Sequence, residues 1–275
     1  MSGLLLRGAG HCAPVRVVTN DDLAARVDTS DAWIVSRTGI RRRHVCDGET
    51  QMQLAIGAAR MTLSRSGVRA EDIGVCIVAT MTPESLMPST ACALQRALGL
   101  FEDTVCFDMN AACTGFVYAL HTAHCLLAAS PRPMALLVGA DAMSRIVDWT
   151  DRSTCILFSD GAGAAVVEMK PEGIATGAVL GCAGDDGLLS ATGPGSVRPS
   201  VISMDGQRVF RFAVEKIAVC VDGVRACPWR TSAGSCCTRP TRESSSWRQS
   251  AAALRRTGSL RICPNTGTRR RRAFR

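Results

Sequence analysis

At 275 residues, with 47% hydrophobic and 20% charged side chains, the chain can bury a large core and has the composition of a soluble enzyme. Its opening apolar run, broken at Arg7, is too short for a signal peptide, and no apolar stretch approaches the roughly 20 residues of a membrane span. The expectation is a cytoplasmic protein whose 14 cysteines are reduced thiols, with no membrane contact. Net charge excludes a further class: residues 225–275 hold 13 Arg, no Lys and one acid, a net of +12 that leaves the first 224 residues at −4. A nucleic-acid surface on the folded body is therefore not expected.

In chain order, the spacing of apolar residues predicts a helix over Gln53–Ser66, a strand over Gly74–Thr80 and a helix over Thr90–Leu98. A strand over Val105–Met109, a helix over Thr114–Ala129 and a strand over Ala135–Gly139 follow. The continuous apolar strands suit a sheet covered on both faces, and the alternation argues for a layered α/β core with a largely parallel sheet. Cys155–Phe158 and Ala164–Glu168 read as two strands joined by a glycine turn over Ser159–Gly163. After Val224 apolar periodicity fades and Ser, Thr and Arg dominate. The cysteines form no Cys-x-x-Cys pair and no Cys/His cluster of zinc type, so no metal is expected, and no cofactor.

Cys113 stands where the strand Val105–Met109 gives way to a helix. Small residues there allow a sharp turn, and the next helix aims its free N–H groups and positive dipole end at the sulfur, favouring the nucleophilic thiolate. Position alone leaves two readings open, a reactive thiol or a buried structural cysteine, and the second is the expectation for Cys106 and Cys125.

Four blocks together resemble β-ketoacyl-acyl carrier protein synthase III, of the thiolase superfamily: Val27–Ile40, the Cys113 segment, Asp148–Arg152 leading into Ser159–Gly163, and Met204–Phe210. Their order and spacing match from residue 1 to about 224. The resemblance implies a thiolase-like αβαβα fold with an incomplete second half. Residues 1–170 would form the first half, 171–224 the start of the second, and 225–275 a disordered tail. It implies an acyltransferase in which Cys113 takes an acyl group from acyl-CoA and condenses it with malonyl-acyl carrier protein to start fatty-acid or polyketide chains.

Trp33 would stack on the adenine of coenzyme A, with Arg37 and Arg152 flanking the base and meeting phosphates, chemistry that an indole face and a forked guanidinium suit. Thr29 would be a polar neighbour, and Gly206 and Phe210 would line the pantetheine entrance. An isolated Trp-x-x-x-Arg would read instead as a surface anchor. Met87 stands where the family often has an aromatic residue reaching into the partner subunit's acyl pocket of a homodimer, although core packing would use a methionine there equally well.

The family's second half supplies a histidine and an asparagine that stabilise the carbanion formed on decarboxylation. Neither segment is present; the only histidines are His11, His44, His121 and His124. Joining the third base of each codon to the first two of the next re-reads residues 237–245 as His-Gln-Ala-Asn-Ala-Arg-Ile-Ile. The same phase turns residues 264–275 into Glu-Tyr-Gly-Asn-Thr-Ser-Ser-Ala-Ser-Ile-Pro. Those strings match the two lost motifs and imply a frameshift near Val224. Two other readings stay open: a thiolase-like acyltransferase of secondary metabolism, and a non-catalytic protein whose basic tail binds nucleic acid.

Overall fold

A computed structural model of the chain describes residues 2–174, 187–193, 196–197 and 200–226, the side chains of 218 and 221–226 aside, and all of these lie in one unit, Met1–Ser235. Both re-read motifs and nearly all of the Arg-rich tail fall outside the described residues.

The centre of the fold is β4 (Ile73–Ala79), buried along its whole length as its unbroken apolar run requires. On either side of it run β5 (Val105–Met109) and β6 (Met134–Ala142), both parallel to it. β7 (Asp160–Lys170) then pairs antiparallel with β6 and with β1 (Gly3–Cys12), giving the order β1-β7-β6-β4-β5. The sheet is thus mixed, not largely parallel. The connection between β6 and β7 contains only a three-residue 3-10 turn and a four-residue helix, so the chain reverses instead of crossing over.

A second expectation also fails here. Cys155 ends a helix, and Gly161 and Gly163 lie within β7, paired with Asp141 and Gly139 of β6. The buried Asp160 fixes the start of that strand by accepting hydrogen bonds from Ser144 N, Ser144 Oγ and Cys46 N at 2.7, 2.6 and 2.7 Å, which leaves no turn to form.

Two helices cover one face of the sheet. α3 (Gln51–Ser66) and α4 (Thr90–Leu98) bury Leu54, Ala55, Ala58, Ala59, Ala91 and Leu94 against Cys76, Val78, Leu136 and Val138. Each has a side-chain N-cap, Thr50 and Ser89, and ends on a left-handed glycine, Gly67 and Gly99. α3 lies close to β1 because Gly10 has no side chain; a Cβ there would stand 2.7 Å from Ala58 O and Thr62 N. On the other face α5 (Gly115–Leu127) packs Ala119, Ala123 and Leu127 on Val75, Ile77, Ala135 and Leu137.

Beside the sheet, β2 (Val17–Thr19) and β3 (Arg42–His44) form a two-stranded ribbon around α1 (Asn20–Ala24) and α2 (Asp31–Thr38). Their cluster of Val18, Leu23 and Ile34 also takes in Val147 and Cys155, the latter from α6 (Arg152–Cys155). β8 (Leu189–Ala191) pairs with β9 (Ile202–Met204), which is tied to the loop after β6 by Ile202 N–H donating to Ile146 O at 2.8 Å. α7 (Gly206–Ala226) follows and runs through Val224. No helix among the described residues is long and apolar enough to cross a membrane.

Candidate active site

Cys113 is exposed between β5 and α5, which removes the reading of a buried structural thiol. Beyond Met109 the chain makes one tight turn over Ala112–Thr114. Ala112 takes φ +44°, left-handed backbone that costs a residue with a Cβ about 1–2 kcal/mol. Thr114 holds the turn: its N–H and hydroxyl both donate to Ala111 O, at 3.1 and 2.8 Å. Asn110 Oδ1 accepts from Ala112 N–H at 3.3 Å. Gly115 then lets α5 begin against the end of β4, since a Cβ there would lie 3.0 Å from Ala79 Cβ. The sulfur is left at the carboxyl end of the central strands, where α/β sheets place their ligands.

The other thiols compete poorly. Burial, followed by the hydrogen bond to Asp160 and its charge, pushes Cys46 up to about 12, and burial also raises Cys155. Cys76 and Cys106 face each other across β4 and β5. A hydrogen bond to Cys106, then burial, raises Cys76, and the same bond lowers Cys106, a half-buried thiol. Cys125 is exposed, contrary to expectation, because it falls on the side of α5 away from the buried Ala119, Ala123 and Leu127.

Met87 is 86% exposed on the segment that leaves β4 for α4. Each strand flanking β4 grips that segment with a carboxylate. Asp141 of β6 accepts from Met81 N, Thr80 Oγ1, Thr82 Oγ1 and Thr82 N at 2.7, 3.1, 3.1 and 3.2 Å. Asp108 of β5 accepts from Thr90 N and Ala91 N at 2.8 and 2.7 Å. Between them, Glu84 Oε1 accepts from Gln51 N and Arg145 Nη2 at 3.0 and 3.1 Å.

Trp33 and Arg152 come together although 119 residues part them in sequence: the guanidinium carbon lies 5.0 Å from the indole centroid, and Arg152 Nη1 donates to Asp28 O at 2.8 Å. Thr29 is the next residue, its hydroxyl buried with no hydrogen-bond partner. Arg37 lies one turn beyond Trp33 on α2 and is exposed. Gly206 opens α7, and Phe210 stands one turn further, 53% exposed. Among the described residues no hydrogen bond or ion pair joins Cys113 or Met87 to the Trp33 cluster.

Three contributors went unread in the sequence. Arg43, 1% exposed, donates through Nη1 to Asn20 Oδ1 at 2.6 Å and through Nε and Nη2 to Ile156 O, Nε at 3.0 Å. Asn20 in turn holds Asp31 at the start of α2, at 2.7 Å. Burial draws the Arg43 guanidinium below its ordinary value, and its bonds tie the Trp33 helix to the segment following Arg152. The other two are Asp108 and Asp141. A charge inside the apolar run Val105–Met109 was a signal for Asp108, whereas the triple Arg41-Arg42-Arg43 gave none for Arg43.

None of the four histidines hydrogen-bonds Cys113. His44 Nδ1 meets Pro14 O at 2.7 Å and His124 Nε2 meets Ser2 O at 3.0 Å, while His121 Nδ1 is buried and unpaired.

A mixed α/β sheet bearing an exposed cysteine at a strand-to-helix turn matches the thiolase-like fold of acyltransferases. The family profile of 3-oxoacyl-[acyl-carrier-protein (ACP)] synthase III matches residues 107–184. The chain is 45% identical over 220 residues to the beta-ketoacyl-[acyl-carrier-protein] synthase III of Thiobacillus denitrificans, covering 78% of this chain and 69% of that one. Among solved structures, the synthase III of Thermus thermophilus superposes with TM-score 0.70 at 41% identity, over 78% of this chain and 68% of the other. The priming beta-ketosynthase of the R1128 polyketide pathway also gives 0.70, at 32% identity over 79% and 68%. The chain belongs to the beta-ketoacyl-[acyl-carrier-protein] synthase III family.

Proposed function

We propose that Cys113 is an acyl acceptor: its sulfur attacks the carbonyl of an acyl-CoA, the bond to the CoA sulfur breaks, and CoA leaves as the thiol while the acyl group stays as a thioester on the enzyme. The observation that carries this is the exposed Cys113 on the left-handed turn at Ala112, in a chain 45% identical to a synthase III. In the complete reaction the acyl group would pass to malonyl-acyl carrier protein with loss of CO2. Trp33, Arg37, Arg152 and Thr29 would hold the nucleotide of CoA, Gly206 and Phe210 the pantetheine entrance, and Met87 the acyl pocket of a partner subunit in a cytoplasmic homodimer. Among the described residues the outer edge of β5 pairs with no strand, which supports a second copy there.

As written, the chain is impaired in condensation. None of its four histidines hydrogen-bonds the thiol, and the re-read phase of residues 237–245 and 264–275 accounts for the missing pair as a frameshift near Val224. The matched share of the chain, 78%, accords with a change of phase there. Resequencing across codon 224 tests this: an intact frame that encodes the same tail in close relatives would refute it.

Mass spectrometry after incubation with short acyl-CoA thioesters tests the acceptor. One acyl group is expected on Cys113, lost in Cys113→Ser and kept in Cys106→Ser. Acylation confined to Cys106 would overturn the assignment. A normal rate of condensation would refute the impairment. The likeness to a priming ketosynthase of a polyketide pathway favours a second reading, a starter enzyme of secondary metabolism; the spectrum of acyl donors accepted at Cys113 separates the two.

A further inference from the structure

We infer that Cys76 and Cys106 are a reversible oxidation site, a thiol pair that closes to a disulfide across β4 and β5 when it meets a peroxide. Neither residue takes part in the acylation chemistry proposed above. The two are direct partners in the parallel ladder. Neighbouring strands lie about 4.7–4.9 Å apart, inside the roughly 4.4–6.8 Å that separates the α-carbons of a disulfide. Paired residues of adjacent strands carry their side chains on the same face, here the one that α3 and α4 cover, and both thiols pack into the core beneath those helices. Cys92 of α4 is a rival partner, but its Sγ donates to the Cys106 carbonyl, at 3.8 Å, and not to the sulfur.

The pair is asymmetric, as a site with one attacking and one resolving thiol must be. Cys76 is fully buried, whereas Cys106 is half-buried on the edge strand, so an oxidant meets Cys106 first. Their hydrogen bond acts in the same sense: it holds Cys106 below its ordinary value and, together with burial, holds Cys76 well above. The thiolate is the form that reacts with peroxide. A second copy added at the outer edge of β5 would pair with backbone groups in the plane of the sheet, while the Cys106 side chain leaves that plane toward α4. In the first step the Cys106 sulfur attacks one peroxide oxygen and the O–O bond breaks. The other oxygen leaves as hydroxide, takes up the thiol proton and becomes water, and Cys106 is left as a sulfenic acid. The Cys76 sulfur then attacks that sulfur, the S–O bond breaks, and hydroxide leaves with the Cys76 proton as a second water. Two thiols have lost two electrons to one peroxide. A dithiol reverses the step by exchange, restoring both thiols and leaving as its own disulfide.

The test treats the full chain with hydrogen peroxide and maps the thiols by mass spectrometry. Cleavage after Glu84, after Arg96 and before Asp108 places Cys76, Cys92 and Cys106 on separate peptides, with Cys106 apart from Cys113. The expected product joins the Cys76 and Cys106 peptides with the loss of two hydrogen atoms, and dithiothreitol returns both thiols. Dimedone, which traps sulfenic acids, should label Cys106 in Cys76→Ala, where no second thiol resolves the intermediate, and should label it far less in the wild type. Cys106→Ala should leave Cys76 reduced. A link between Cys106 and Cys92 overturns the pair, and so does a sulfenic acid that persists at Cys106 in the wild type. Peroxide treatment that leaves both thiols free overturns it as well. The wild-type map decides by itself where a variant fails to fold.

Discussion

Against one face of the sheet, α3 and α4 bury Leu54, Ala58, Ala59, Ala91 and Leu94 to 3% exposure or less. Against the other, α5 covers the sheet only through Ala119, Ala123 and Leu127, and Phe116, Val117 and Leu6 of β1 are left 39%, 49% and 63% exposed. An open apolar groove runs there between Leu6, Phe116 and Gly163. The first face has reached the packing of a finished interior, while on the second the described residues leave apolar side chains open.

The largest expected effect tests that contrast directly. Leu94→Ala on the finished face should cost about 2–5 kcal/mol in urea unfolding, the loss of a fully buried leucine plus its cavity. Val117→Ala on the open face should stay within about 0.5 kcal/mol. Equal losses would mean that α5 is as fully packed as α4. Next comes Arg43→Met, which leaves Asn20 Oδ1 and the Ile156 carbonyl without their charged donor and should cost about 1.5–3 kcal/mol. Because Arg43 ties α2 to the segment after α6, the same change should loosen the Trp33–Arg152 stack, read as increased solvent exposure of Trp33. The stack would remain as shielded as in the wild type if Arg43 were only filling space.

How much of this was legible follows the same division. The central strands and their helices were readable because local apolar runs and spacing coincide with burial: α4 spans Thr90–Leu98 and β5 Val105–Met109, as their patterns predict. β7 was not. Its glycines read as a turn, and only pairing with β1 and β6, more than 100 residues and about 20 residues away, draws them into a strand. Cys113 could be located from a strand-to-helix junction, but the left-handed Ala112 before it could not, since alanine carries no signal for that backbone. Trp33 and Arg152 were matched through a family pattern. Their direct contact, and the Arg43 network beneath, depend on tertiary geometry that no local pattern encodes.

A smaller effect concerns Asp151, the N-cap of α6 that precedes Arg152. Burial would raise its carboxyl, but hydrogen bonds from Ser153 and Thr154 outweigh that and leave it below its ordinary value. A lowered carboxyl contributes stability above its unfolded value and loses it as pH falls through the folded one. The cap should therefore be unchanged from pH 8 to 5 and weaken only below about pH 4. Asp151→Ala should cost about 1 kcal/mol at neutral pH and abolish that acid-side loss. A difference between wild type and variant that disappears near pH 6 would rule the carboxylate out as its source.

The smallest effect on stability has the most to say about Cys113. Ala112→Gly removes a left-handed penalty of about 1–2 kcal/mol, yet glycine gives the unfolded chain about 0.4–1 kcal/mol of extra freedom, so the net change should lie between none and a gain of about 1.6 kcal/mol. If the turn serves only to connect β5 to α5, the variant should acylate as fast as the wild type. If Ala112 serves to hold the sulfur in one position at the strand ends, glycine should slow acylation of Cys113 while the protein becomes no less stable. Ala112→Val sets the other bound, since a branched side chain at φ +44° should lose both stability and acylation. A rate that falls in glycine and valine alike, with stability moving in opposite directions, separates the aiming of the nucleophile from the integrity of the finished face.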